Sequence, residues 1–263
     1  MAVTTSPAQA ARVEIDGTPA SADQLRAVAL GGFGHFTAMQ VRNGAVRGLD
    51  RHLARLDTAN RELFGAGLDG DQVRSQIRHA LGGDQDASVR VHVLEGDGRP
   101  LIMVTVRAPG GLPDRPWRLR SVPHQRTLAH IKHNGDFGQR YYQRLVQAAG
   151  FDEALLTGPD GLISEGSVTN VCFASDGQIV WPAAPVLTGI TMRLVLDGLA
   201  ALGLPSRFEH VRLSGLTGFS AAFVTNARGI EPVGQIDGIG FAADGGLLAS
   251  LRAARDAAGW DPL

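Results

Sequence analysis

One side chain in this 263-residue sequence can act as an amine nucleophile: Lys132, the only lysine among its 25 Lys and Arg residues. It lies in His130-Ile131-Lys132-His133-Asn134-Gly135. Arginine carries positive charge equally well but stays protonated, so it cannot replace lysine in amine chemistry. Two readings of a sole surviving lysine stand: a Schiff base to a carbonyl, or chance escape from replacement. If Lys132 holds an aldehyde cofactor, three further parts are needed: an anion cradle for a phosphate, an acid for a pyridine nitrogen, and a wall for the ring. The acid candidate is Glu165 in Ile163-Ser164-Glu165-Gly166-Ser167. A carboxylate ending an apolar strand needs a partner, and a pyridinium N–H is one; a glutamate capping its own turn is the plainer reading. The cradle candidate is Leu187-Thr188-Gly189-Ile190-Thr191, where a glycine opening a helix leaves N–H groups at a positive dipole end. A plain helix start reads the same way. Thr225-Asn226-Ala227 ends another apolar strand with polar groups. Arg55 can fork onto phosphate oxygens or be an exposed helix arginine beside Arg51 and Arg61.

Other chemistries have less support. His130 and His133 stand three apart with no nearby Cys, His or acid set, so no metal site is expected. There is no P-loop, no Gly-x-Gly-x-x-Gly after a strand and no Gly-x-Ser-x-Gly. The net charge of −1 offers no basic field for nucleic acid and no polybasic run for a membrane surface. No apolar run reaches the ~20 residues of a membrane span. The single cysteine, Cys172, sits in Val171-Cys172-Phe173 and reads as a buried structural thiol. These features together predict a cytoplasmic protein.

The elements that must position these residues follow from periodicity and breakers. Residues 1–11 read as a flexible tail. Arg12 to Gly17 is a strand and turn. Phe33 to Val41 is a strand closed by the hairpin signal Asn43-Gly44. Asp50 is the expected N-cap of a helix running to Phe64, stopped by Gly65. Asp71 to Leu81 is a second helix. Ser88 to Leu94 alternates as a strand with one wet face and pairs with Leu101 to Val106. The breaker cluster from Ala108 to Asp114 marks a boundary. The expected division is a small α/β domain over 12–109, a linker over 110–116 and a larger domain over 117–263. The larger domain contains strands at Trp117–Val122, Asp152–Thr157, Leu162–Glu165, Asn170–Phe173, Gln178–Trp181, Arg207–Leu213 and Ala221–Thr225. Its expected helices are Gln139–Ala149, Ile190–Leu202 and Leu247–Ala258. This is an α+β pattern.

Taken in order, the Arg55 helix, Lys132, Asp152-Glu153-Ala154-Leu155-Leu156, Ser164-Glu165-Gly166-Ser167-Val168-Thr169-Asn170, Leu187-Thr188-Gly189-Ile190-Thr191 and Thr225-Asn226-Ala227 leading to Pro232-Val233 form a series. From about Ile15 to Asp237 that series resembles the class IV (fold-type IV) pyridoxal-phosphate enzymes, which include branched-chain and D-amino-acid aminotransferases and 4-amino-4-deoxychorismate lyases. The resemblance implies a small α/β domain and a larger β-barrel-like domain, pyridoxal 5'-phosphate between them, and a homodimer. It implies Lys132 as the Schiff-base lysine and proton shuttle. Glu165 would then be the ring-nitrogen partner, and Arg55 the phosphate arginine. Ile190 and Thr191 match the phosphate-binding helix start, with Gly189 opening it. Asn226, beside Thr225, is a further phosphate contact, and Leu187 would lie against the ring.

The implied activity is an aminotransferase working on an amino acid or amine and a 2-keto acid. Two alternatives remain: an aminodeoxychorismate-type lyase releasing pyruvate, and a non-catalytic member of the fold. Many aminotransferases of this class carry tyrosine five residues after the lysine, where this chain has Phe137. Gly34 to Val41 and Ile131-Lys132-His133 resemble the lyase branch about as well as the aminotransferase branch. His35, Gln40, Arg107 and Arg126 are conceivable substrate contacts, each also readable as an ordinary strand or loop residue.

Overall fold

The computed structural model describes residues 11–111, 113 and 115–263. Most of the expected 1–11 tail, and Leu112 and Asp114 of the expected linker, lie outside these. The chain separates into two compact units. The first comprises the chain up to Gly110 together with Lys132–Gly135 and Trp260–Leu263; the second comprises Gly111–Ile131 and Asp136–Gly259.

In the first unit the elements run β1 (Arg12–Ile15), β2 (Thr18–Pro19), α1 (Ala22–Leu30), β3 (Gly34–Arg42), β4 (Ala45–Arg47), α2 (Leu49–Phe64), α3 (Gly70–Leu81), β5 (Ala87–Leu94) and β6 (Leu101–Arg107). Among the described residues they form a seven-stranded sheet, in the order Trp260–Pro262, β4, β3, β5, β6, β1, β2. Strand alternation splits this sheet into two faces. Met39 and Val41 of β3, and Ala87, Val89, Val91 and Val93 of β5, are buried with the inner faces of α2 and α3. Phe36, Ala38 and Gln40 point the other way, opposite His92, Arg90 and Ser88 in the antiparallel register.

Helix α2 starts one residue before the expected Asp50 cap. Gly48, in the left-handed conformation at φ 66°, is the N-cap and offers no side chain. The first helical N–H, that of Leu49, instead donates to Asp261 of the C-terminal strand at 2.9 Å, and Asp50 sits in the first turn. Sequence reading missed α1 altogether. It has a complete Ser21/Gln24 capping box but buries none of its own residues, so no apolar stripe marks it.

The second unit contains β7 (Trp117–Pro123), α4 (Phe137–Ala148), β8 (Glu153–Thr157), β9 (Ile163–Gly166), β10 (Asn170–Ser175), β11 (Gln178–Pro182), α5 (Ile190–Ala201), β12 (Ser206–Glu209), β13 (Ala221–Asn226), β14 (Gly229–Ile236), β15 (Ile239–Gly240) and α6 (Gly245–Asp256). Its sheet has nine strands among the described residues, in the order β12-β11-β10-β13-β14-β7-β8-β9 with β15 on β14. Every residue of β8 and β9 is buried, which requires cover on both faces. On β10, Val171 and Phe173 belong to one apolar cluster, while Cys172 and Ala174 join a second built with α5 and α6. Helix α4 packs Val146 over Val122, Ala154 and Leu156. The helices α5 and α6 meet at Gly198, where an added Cβ would lie 1.9 Å from the Ala254 carbonyl oxygen.

The expected strand Arg207–Leu213 is shorter than read. β12 pairs in parallel with β11 only as far as Pro182↔Glu209. Proline ends the partner strand, since it donates no ladder hydrogen bond, and Leu213–Gly218 becomes a 3₁₀ helix. Cys172 is fully buried and free, and burial pushes its thiol pKa far up. That environment suits packing and disfavours a thiolate.

Candidate active site

The candidate residues are described unit by unit. In the first unit, the lysine segment adds to the open edge of β3. β4 covers only Val41 and Arg42 of that edge. Further along, Phe36 N–H donates to the Lys132 carbonyl at 2.8 Å, and Asn134 N–H donates to Gly34 at 2.9 Å. Gly34 is required here: at φ 151°, a Cβ would sit 2.2 Å from the Val93 carbonyl oxygen. Asn134 Oδ1 also meets His92 Nδ1 at 3.0 Å. The Lys132 side chain is half-buried, with Nζ 4.8 Å from the centre of the Phe36 ring. His92 stacks on the same ring at 4.9 Å.

Helix α2 supplies Arg55, half-buried, on the turn after His52. His52 is buried, with Nδ1 2.6 Å from the Thr37 hydroxyl. Burial, then the positive charges of Arg55 and Lys132, drive its pKa down to about 3. This buried polar pair beneath the lysine strand was not anticipated. The available signal was a histidine on the apolar face of α2, between Leu49 and Leu56.

The substrate candidates of this unit divide by pleat. His35 points toward the helices and stands 6.1 Å from Phe64, on the opposite side of β3 from Phe36. It is 1% exposed, and burial lowers its pKa to about 4. Gln40 is on the Phe36 side and is held by Ser88 and Arg42. Arg107 is exposed at the end of β6.

In the second unit the structure brings Glu165, Arg126 and Leu187 together. Glu165 is 5% exposed. Its Oε1 accepts from Arg126 Nη1 at 3.0 Å, and both oxygens lie 3.3 Å from Leu187 N. The Arg126 fork is thus turned onto Glu165 and the backbone of its own loop. It is buried, with Nη1 also on Ala129 O and Nη2 on Ile131 O, each at 2.8 Å. Its place in a loop rich in polar residues gave no hint of this.

Around the start of α5, Asn170 laces the loop: its Nδ2 donates to Leu187 O at 2.7 Å, and its Oδ1 accepts from Gly189 N at 3.1 Å. A Cβ on Gly189 would meet that Oδ1 at 2.2 Å, so the glycine serves close packing and its own N–H is already engaged. The Thr191 hydroxyl donates to Asn226 O at 2.7 Å, tying the helix start to the end of β13. No side chain caps α5. The first-turn N–H groups of Ile190 and Thr191 lack intrahelical acceptors, and a helix start of this kind can take an anion. Thr225 Oγ1, on the residue before Asn226, is buried without a hydrogen bond.

These groups suit a phosphorylated pyridine aldehyde. The first unit offers an amine; the second offers a buried carboxylate, an uncapped helix start and a buried hydroxyl without a hydrogen bond. A carboxylate can accept about four hydrogen bonds, so Arg126 and Leu187 do not by themselves exhaust Glu165. By contrast, no group of three or more His, Cys, Asp or Glu residues suited to a metal occurs among the described residues.

A model of the amino-transferase class IV family matches residues 34–236. The chain belongs to that family. Within it, a probable branched-chain-amino-acid aminotransferase of Rickettsia felis is 33% identical over 94 residues, 35% of this chain and 32% of that protein. Its counterpart in Synechocystis sp. is 33% identical over 107 residues, 40% of this chain and 35% of that protein. The match thus spans about a third of the length of these curated relatives.

Solved structures cover more. The branched-chain aminotransferase of the thermophilic archaeon Thermoproteus uzoniensis, with norvaline, superposes with a TM-score of 0.81 at 21% identity, covering 92% of this chain and 93% of that one. The PLP-bound form of a hypothetical aminotransferase from Mycobacterium tuberculosis gives 0.77 at 18%, covering 88% and 91%. The 4-amino-4-deoxychorismate lyase of Pseudomonas aeruginosa gives 0.77 at 26%, covering 91% and 96%. The two-sheet α/β architecture is that of fold-type IV aminotransferases. No helix among the described residues is long and apolar enough to cross a membrane.

Proposed function

We propose that this class IV family member is a pyridoxal-phosphate-dependent aminotransferase, moving an amino group between an amino acid or amine and a 2-keto acid. The observation that carries the reading is the setting of the sole lysine. Lys132 is clamped by its backbone to β3, half-buried, with its amine over Phe36. When bound to Lys132 through its aldehyde, pyridoxal phosphate supplies an electron sink for the pair left when a substrate Cα–H bond breaks.

The chain's own residues do the rest. Lys132 Nζ would hold the cofactor's aldehyde and, as a free amine, would move a substrate Cα proton. Glu165 would accept the ring N–H and so keep that nitrogen protonated. Arg55 would fork onto phosphate oxygens, the N–H groups of Ile190 and Thr191 would donate to them, and Thr225 and Asn226 would complete the anion site. Leu187 would lie against the ring. The reading includes action as a homodimer in the cytoplasm.

Purified protein given pyridoxal phosphate should show the visible absorption band of a lysine-bound aldehyde. The Lys132→Ala protein should lack it; a band that survives the substitution sinks the mechanism.

The 26% identity to the lyase structure, against 21% for the branched-chain aminotransferase structure, favours keeping a second reading: release of pyruvate from an amino-bearing cyclic substrate. It uses the same lysine, acid and phosphate groups but needs no keto-acid acceptor. Pyruvate formed without added acceptor selects the lyase; amino transfer that requires 2-oxoglutarate or pyruvate selects the aminotransferase.

A further inference from the structure

We propose that Arg126 is a positioning residue: its fork fixes the carboxylate of Glu165 relative to the peptide that leads into Lys132. The inference rests on the pyridoxal-phosphate reading above and extends it to a side chain outside the cofactor's own contacts.

Arg126 follows β7 in a loop, yet its side chain is 5% exposed and that of Glu165 is 7% exposed. A buried charge is costly unless it is paired and its remaining donors are satisfied. Here Nη1 serves Glu165 Oε1 at 3.0 Å and Ala129 O at 2.8 Å, and Nη2 serves Ile131 O at 2.8 Å, while Nε is buried without a partner. Ile131 immediately precedes Lys132. A guanidinium is planar and rigid, so these three acceptors are held in one plane at set separations. An ammonium on a flexible stem cannot impose that geometry.

Burial alone asks that the guanidinium find acceptors, not that those acceptors lie in the segment running into the lysine. The fork also binds two carbonyls of the lysine-bearing loop, one of them on the residue that meets Lys132. Glu165 is fixed from its other side by Leu187 N, and Asn170 ties Leu187 to Gly189 at the start of α5. Arg126 thereby joins the acid, and through it the anion site, to the chain entering the lysine.

The test uses full-length protein and pyridoxal phosphate. In Arg126→Lys, which keeps the charge but not the fork, the dissociation constant read from the visible band should rise by about tenfold or more. The pH midpoint of that band should also move, and kcat should fall more than KM changes. Unfolding of the apoprotein should stay close to wild type. A folded Arg126→Lys protein with unchanged affinity and unchanged spectral midpoint overturns the proposal.

A second comparison covers the case in which that variant does not fold. The charge-neutral pair Arg126→Met with Glu165→Gln is set against Glu165→Gln alone. The pair should bind pyridoxal phosphate about tenfold more weakly, because Ala129 O and Ile131 O lose their donor. Equal affinity overturns the proposal. Wild-type protein that forms no band overturns the cofactor reading and this inference together. A wild-type band with unaffected variants overturns this inference alone.

Discussion

Arg55 and Arg126 show how little residue type says about role. Both are arginines in polar company. Arg126 is locked to Glu165 and two carbonyls, while Arg55 sits half-buried on α2 beside His52. If Arg55 carries the phosphate, Arg55→Gln removes charge-assisted hydrogen bonds worth about 1.5–3 kcal/mol, and pyridoxal-phosphate affinity should drop about 10- to 100-fold. Titration of the visible band measures this; unchanged affinity removes Arg55 from the phosphate site. The lysine, the acid and the helix start could be nominated from the sequence because each is a chemical singularity or stands at an element's end. Thr37, His52 and Glu153 were not, because a polar residue inside an apolar pattern does not announce which partner lies across the fold.

Helices and strands with strong apolar periodicity were legible almost to the residue. α3 begins at Gly70 against an expected Asp71, and β5 at Ala87 against an expected Ser88. What escaped were elements whose reason lies elsewhere in the chain. The helix α1 buries none of its residues, and the strand Trp260–Pro262 exists because β4 offers it an edge. Close approaches escaped too. Gly198 looks like an ordinary helix glycine, yet Ala254 of α6 packs its backbone into the space a Cβ would fill. Gly198→Ala must push α5 and α6 apart, despite alanine's better helix propensity. The substitution should therefore cost about 1–3 kcal/mol. A urea midpoint equal to or above wild type would show that the helix pair is not packed as described.

At the scale of the whole molecule, the two units carry buried titratable groups of opposite sense. His35 and His52 in the first unit have pKa values lowered from 6.5 to about 4 and about 3. Their contribution to stability is full above pH 6.5 and is lost as pH falls through those lowered values. Glu153 in the second unit is raised from 4.5 to about 7, mainly by burial. Val168 N, Ser167 Oγ and Thr169 Oγ1 donate to it and partly oppose that rise. Its contribution is full below pH 4.5 and is lost as pH rises through 7. Wild-type urea midpoints should therefore fall toward both acid and alkaline pH. Glu153→Gln should remove only the alkaline fall, on the order of 1–3 kcal/mol. An alkaline slope identical in Glu153→Gln and wild type would assign that fall to other groups.

The strand Trp260–Pro262 closes one edge of the first unit's sheet, and its Asp261 holds the opening N–H of the helix that bears His52 and Arg55. On a ribosome, which adds about 5–20 residues per second, that strand emerges only after every residue of the second unit. The nascent first unit must therefore wait with one sheet margin bare and a helix start unanchored. For this chain the usual vectorial order of assembly is inverted: the unit begun first is the one finished last.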